Sequence, residues 1–243
     1  HPREVIPFMN IIRRAAKSAI GRAIPVQTYS RAASHSALRH QFSSVFQVQK
    51  TQRREQVWDW KIDEIGVDTP VLLIEFGVWK GYSTRYFSKA FTHADSVFVG
   101  CDSFIGLPEQ WGETTIERFN VDGNLPQIDD PRVHFVKGWF QNSFSEVASI
   151  IAEKAEGRTV LIHYDADIYS STLFLLCELH RYFDGYHFIF DEFTGDENLA
   201  LWNHIQAYGA EASFSGARFK RGLPVQVGGH LVTNRGKYEV PEG

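Results

Sequence analysis

Residues 71–81 read VLLIEFGVWKG, and this stretch decides the fold. Val71-Leu72-Leu73-Ile74 is an unbroken apolar run, the pattern of a strand buried on both faces of a parallel sheet. Glu75-Phe76-Gly77-Val78-Trp79-Lys80-Gly81 follows, and residues 82–91 carry a helical pattern. Strand, glycine turn and helix in succession build a ligand crevice at the carboxyl end of a strand in an open α/β sheet. Gly77 and Gly81 lack side chains where a ligand would lie against backbone, and Glu75 offers a carboxylate there. A tight turn between strand and helix can demand the same glycines, so the turn alone leaves both readings open.

Outward from this stretch, strand and helix patterns alternate, the signature of a parallel sheet covered on both faces. Further strands are predicted at 96–101, closed by Asp102, and at 132–137, 159–165 and 187–190, with weaker ones at 210–214 and 225–232. Helices are predicted over 145–154, 171–183 and 198–208. The expected fold is α/β: a Rossmann-like, doubly wound, seven-stranded sheet ending in a hairpin. Residues 103–131 show no periodicity and are expected to form a loop or lid over the crevice.

Residues 1–56 differ in composition, ten Lys and Arg facing only Glu4 and Glu55. Apolar residues at helical spacing predict an amphipathic helix over 7–22, and a second helix over 45–65 leads into the first strand. This divides the chain into a basic helical arm, 1–56, and a catalytic-type domain, 57–243. The arm would pack on the core or on a second subunit as a homo-oligomer contact, its basic face solvated, or would attract an anionic substrate or surface.

At 243 residues with 43% hydrophobic residues, the chain can bury one sizeable core. A net charge of −4 gives no argument for nucleic acid. No apolar run reaches membrane-spanning length, and Arg13 and Arg14 follow rather than precede the first apolar residues, so a cytoplasmic protein is expected. Cys101 and Cys177 read as two buried free thiols.

Every strand end carries a polar signal. Asp102 lies about two dozen residues beyond the glycine turn, where an acid can accept both hydroxyls of a ribose, although it could equally cap a turn. With Glu75-x-Gly77-x-x-x-Gly81 it argues for an adenosine-containing cofactor. The third glycine of the dinucleotide fingerprint is missing and no phosphate-binding loop is present, which places S-adenosylmethionine ahead of nicotinamide cofactors and ATP. Asp165-Ala166-Asp167 and Asp191-Glu192 end strands expected to be neighbours, about 5 Å apart. Four converging carboxylates would raise one another's pKa, and a divalent cation such as Mg²⁺ is one compensation. The alternative is that Asp165 and Asp191 cap the next helices. A metal beside a methyl donor would lower the pKa of bound hydroxyls and fix the attack angle. Asp167 is the candidate base and His163 the second, although a lone strand histidine is more often a satisfied core residue.

Taken together, these residues resemble the TylF family of S-adenosylmethionine-dependent O-methyltransferases, which act on sugar hydroxyls of macrolides and related natural products. The matching stretches are EFGVWKGYS from Glu75, DSFIGLPE from Asp102, KGWF from Lys137, HYDADIYSST from His163 and FDEF from Phe190. They cover residues 71–193 in the family's order. The resemblance implies a class I methyltransferase fold and a Mg²⁺-type site at Asp165, Asp191 and Glu192. It implies a base at Asp167 and a ribose contact at Asp102, beside Ser103. It also implies that Glu75, Phe76, Gly77, Gly81 and Ser83, with Asp165, hold the methionine end of the cofactor, and that Gly138, Trp139 and Phe140 lie near its adenine. The acceptor would be a small-molecule hydroxyl, a vicinal diol of a glycosylated natural product. A metal-independent methyltransferase and a non-catalytic cofactor-binding protein are the alternatives. The chain departs from the family in having Gln141-Asn142-Ser143-Phe144 after Phe140, where Asp-Thr-Leu is usual, and Asp191-Glu192 in place of two aspartates. Phe104, Trp111, Phe119 and Trp139 would stack on the acceptor or simply pack the lid.

Overall fold

The computed structural model describes residues 26–238; the helix expected over 7–22 lies outside the described residues. The elements run α1 (Val26–Ser36), a π-helical turn (Ala37–Gln41), a 3₁₀ turn (Ser43–Phe46), β1 (Gln49–Thr51), α2 (Arg54–Ile65), β2 (Val71–Phe76) and α3 (Tyr82–Ala90). After them come β3 (Val97–Asp102), β4 (Val133–Lys137), α4 (Phe140–Lys154), β5 (Thr159–Tyr164) and α5 (Tyr169–Leu179). The last described elements are β6 (Gly185–Phe190), α6 (Asp196–Tyr208), β7 (Glu211–Lys220), β8 (Leu223–Val232) and a 3₁₀ turn (Arg235–Tyr238).

The sheet has eight strands in the order β1-β7-β8-β6-β5-β2-β3-β4. β2 lies at its centre, parallel to β3 and β5, and all six of its residues are buried. Alternation along the strand sends Val71 and Leu73 to one face, with Trp58, Phe87 and Phe98. Leu72, Ile74 and Phe76 go to the other, with Val147, Leu175 and Leu176 of α4 and α5. Both faces are therefore covered by helices, the reason the strand carries no polar alternation. β8 runs antiparallel to β6 and β7, forming the terminal hairpin.

Several expectations are corrected. The seven strands are joined by an eighth, β1, parallel to β7. The helix expected over 45–65 is broken by it: Thr51 Oγ1 accepts the Arg53 N–H at 3.0 Å, turning the chain before α2 starts. The boundary drawn near residue 56 therefore runs through α2, and Leu38, Phe42 and Val45 are buried in the main core. The N-terminal side of this boundary thus shares the core of the sheet from residue 37 onward. Cys101 is buried and Cys177 only half-buried, and both are free. Residues 103–131 form the expected loop, carrying only the isolated bridges Ile105–Asn120 and Trp111–Thr114. Among the described residues no helix is long and apolar enough to cross a membrane.

Candidate active site at the switch point

β2 and β5 are adjacent, yet the chain leaves β2 toward β3 on one side and leaves β5 toward β6 on the other. Their carboxyl ends part there and leave a crevice, the switch point of a doubly wound sheet. The ladder continues past the strands: Asp165 N–H donates to the Phe76 carbonyl at 2.8 Å, and Gly77 N–H to that of Cys101 at 2.9 Å. Gly77 has φ +96°, and a Cβ on it would sit 1.9 Å from the Asp165 carbonyl oxygen. Its glycine is demanded by the neighbouring strand end rather than by a ligand. Gly81 likewise abuts a neighbour, Pro126.

Asp102, at the end of β3, holds the glycine turn in place. Its Oδ2 accepts the N–H groups of Val78 and Trp79 at 2.7 and 2.8 Å, and its Oδ1 that of Phe104 at 2.7 Å. Counting two lone pairs per oxygen, Oδ1 retains one. Asp102 can thus accept one further hydroxyl, not the two expected from its position. Trp79, inside the turn, has φ +49°.

Beyond the turn lies a cavity of about 350 Å³. Its apolar walls include Trp79, Trp111, Phe119, Trp139 and Phe140, and its acidic floor comprises Asp165, Asp167, Asp191 and Glu192. A mostly apolar cavity with a few convergent polar groups is the usual form of a small-molecule site. Asp167 is buried in a left-handed backbone conformation, φ +61°. Such strain in a non-glycine residue clusters at functional sites. Burial, then the charges of Asp165, Glu192 and Asp191, push its carboxyl up to about 8. Burial and the charge of Asp191 likewise push Asp165 up to about 7, against the pull of Arg54 and His163. Asp191 is held below the ordinary carboxylate value: burial acts upward, but His163 and Arg54 outweigh it. Burial would lower His163, yet Asp191 and Glu75 raise it to about 9.

The floor already holds a cation. The Arg54 guanidinium, from the first residue of α2, donates through Nη2 to Asp165 Oδ2 at 2.8 Å and through Nε to Asp191 Oδ1 at 3.0 Å. Nη2 is also 2.9 Å from Asp191 Oδ2. Gln226 Nε2 adds a hydrogen bond to Asp191 Oδ1 at 2.6 Å. Ligand atoms of His163, Asp165 and Asp191 lie within 4.8 Å of one another, a spacing that could gather a metal; Glu192 is outside that group. With Arg54 seated, however, both Asp191 oxygens and one Asp165 oxygen are committed to N–H donors. While the guanidinium sits between Asp165 and Asp191, these two carboxylates do not fit a divalent cation as a pair.

A family model described as "Methyltransferase domain" matches residues 74–212, more than half of the chain. The chain belongs to this family. Among solved structures, the O-methyltransferase NovP is 21% identical and superposes with a TM-score of 0.50, covering 74% of this chain and 79% of that one. An O-methyltransferase from Bacillus cereus in complex with SAH is 14% identical, with a TM-score of 0.43 over 90% of this chain and 97% of that one. The likeness to NovP is one of fold, and it agrees with the class I methyltransferase architecture expected for the sheet. No curated protein matches the sequence.

Within this methyltransferase fold the candidate residues divide into two groups. Gly77, Ser83, Asp102, Ser103, Gly138, Trp139, Phe140, Asp165, Asp167, Asp191 and Glu192 line the cavity. Glu75, Phe76, Gly81 and His163 do not; they stand behind its wall. Glu75 is fully buried and accepts hydrogen bonds from Ser83 Oγ and Thr84 Oγ1, while His163 Nδ1 lies 3.0 Å from its Oε1. It therefore ties strand, helix and histidine together and is not exposed to a ligand. Of the lid aromatics, Trp111 and Phe119 reach the cavity, whereas Phe104 is buried against Phe135. The lid is tethered by Ser170 Oγ, which donates to Glu109 Oε1 at 2.5 Å. Arg54 is the functional side chain that sequence reasoning missed, having assigned it to a solvated basic face. Its one sequence signal is its place four residues before Trp58, whose ring lies 5.0 Å beneath the guanidinium.

Proposed function

We propose that this chain transfers a methyl group from S-adenosylmethionine to a hydroxyl oxygen of a small molecule. The observation that carries the reading is Asp167: a carboxyl in a left-handed backbone, lining the cavity at the switch point of a methyltransferase-family fold. When bound, the cofactor supplies a sulfonium methyl carbon open to displacement. The turn held by Asp102 would bind its methionine and ribose portion, and Gly138-Trp139-Phe140 would flank its adenine. Asp167 would take the proton of the acceptor hydroxyl as that oxygen receives the methyl group. A base with a pKa near the working pH is well matched to that task. Trp79, Trp111 and Phe119 supply flat apolar walls for the acceptor.

The finer reading follows the TylF resemblance: a sugar hydroxyl, one of a vicinal diol, on a glycosylated natural product. Assistance by Mg²⁺ at Asp165, Asp191 and Glu192 would require Arg54 to leave the first two of these carboxylates. Compensation by Arg54 itself is therefore the reading adopted, and it favours the metal-independent alternative. A cofactor-binding protein without catalysis would bind the same ligand yet show no turnover on any polyol.

Calorimetry with S-adenosylhomocysteine tests the reading. One molecule should bind per chain, and absence of binding overturns the function. Asp102→Ala is expected to weaken that binding by about tenfold or more, because it releases three backbone N–H groups that fix the turn. Unchanged affinity in the variant would mean that Asp102 has no part in the cofactor site.

A further inference from the structure

The carboxylates at the ends of β5 and β6 converge from neighbouring strands, so their charge must be neutralised for the sheet to close at the switch point. Two solutions exist. A hard divalent ion takes oxygen ligands in near-octahedral geometry and keeps several waters. A guanidinium offers five N–H donors in a rigid fork matched to carboxylates, at a lower hydration cost than an ammonium.

This chain uses the second. Arg54 reaches the cluster from α2, its guanidinium lying over the Trp58 ring, and Trp58 is itself wedged against Tyr82, Tyr86 and Phe87. That packing fixes the stem, and the fork then spans the gap between Asp165 and Asp191 with three contacts of 2.8, 2.9 and 3.0 Å. The Trp58 ring below and carboxylates on two sides make a built seat rather than a surface pairing. Glu55, the next residue, accepts a hydrogen bond from Tyr82 Oη at 3.0 Å.

We infer that Arg54 is the resident cation of this site: it fills the place between Asp165 and Asp191 that a divalent metal would take, and the cluster binds no metal while Arg54 is seated. Its consequence for catalysis, methyl transfer that does not depend on a metal at this cluster, rests on the function proposed above; the occupancy itself does not. Arg54 lines the cavity, so the same cation also faces the acceptor side of the floor. α2 thereby becomes part of the active site, joined to residues 111 and 137 positions further along the chain.

The test uses the full chain, freed of metal by dialysis against chelator, and Mn²⁺ as the probe, followed by electron paramagnetic resonance and by melting temperature. The wild type should show no saturable Mn²⁺ site and no Mn²⁺-dependent rise in melting temperature. Arg54→Ala should bind one Mn²⁺ per chain and melt at a higher temperature in its presence. Arg54→Gln keeps the apolar stem over Trp58, and should behave in the same way if the alanine variant does not fold. Stoichiometric Mn²⁺ binding by the wild type, abolished by Asp165→Asn, would overturn the proposal. So would a failure of both Arg54 variants to bind the ion, since the cluster would then be no cation site once vacated. Loss of S-adenosylhomocysteine binding would strike the proposed function alone, leaving the metal result to be read by itself.

Discussion

Asp167→Asn is expected to lower the single-turnover rate of methyl transfer by about 10²- to 10⁴-fold, the usual contribution of a positioned general base. The substitution is chosen because it preserves everything but the proton acceptor. Asparagine has nearly the same shape and is among the few residues that tolerate the left-handed backbone Asp167 adopts. A fall in rate therefore reports on chemistry rather than on a collapsed turn. Cofactor affinity should remain close to that of the wild type, because the turn held by Asp102 is untouched. Asp167→Glu keeps the carboxyl but moves it by one methylene, and should recover only part of the lost rate, since misplacement of about 1 Å already costs about 10²-fold. A wild-type rate in Asp167→Asn would remove the base from the mechanism and leave Asp167 as a strained structural residue.

The fold was readable because its strands are apolar on both faces. β2, β3, β5 and β6 announce themselves as short apolar runs; β3 ends at Asp102, and β5 and β6 run into Asp165 and Asp191-Glu192. Local patterns of this kind survive in a single sequence because burial acts on consecutive residues. β1 is only three residues long and holds its place by pairing with β7 far along the chain, so nothing local marks it. Gly216 opposite Gln49 shows the same dependence: a Cβ there would stand 2.4 Å from the Trp60 ring, a contact invisible to periodicity.

In the candidate site, the convergence of Asp165, Asp167, Asp191 and Glu192 followed from strand order. What neutralises them did not. Sequence reasoning met an uncompensated acidic cluster and supplied a metal, because the partner stands 111 residues upstream in a segment read as a basic arm. Glu75 shows the converse. Its position at the end of a strand suggested a ligand contact, but a carboxylate at a strand end can face inward as readily as outward. Here Ser83 and Thr84, on the first turn of α3, draw it into the wall.

That inward position makes Glu75→Ala the largest stability effect expected in the chain, a loss of about 3–5 kcal/mol in denaturant unfolding at neutral pH. Glu75 and His163 are both fully buried, and the His163 ring lies among Trp58 and Phe87, with centroids 5.9 and 5.6 Å away. In those surroundings an imidazolium survives only because carboxylates face it on both sides, Glu75 at 3.0 Å from Nδ1 and Asp191 at 3.8 Å from Nε2. Removing Glu75 strands one side of that charge and also leaves the Ser83 and Thr84 hydroxyls without their acceptor, a further desolvation cost. The pair can be separated from simple cavity formation by a double-mutant cycle. His163→Leu in the Glu75→Ala background should cost less than in the wild type, because the stranded group is then gone. The coupling should reach about 1–3 kcal/mol, within the range for contacting buried groups. Additive losses would mean that Glu75 holds α3 through its hydroxyl contacts alone and that His163 is an ordinary core residue.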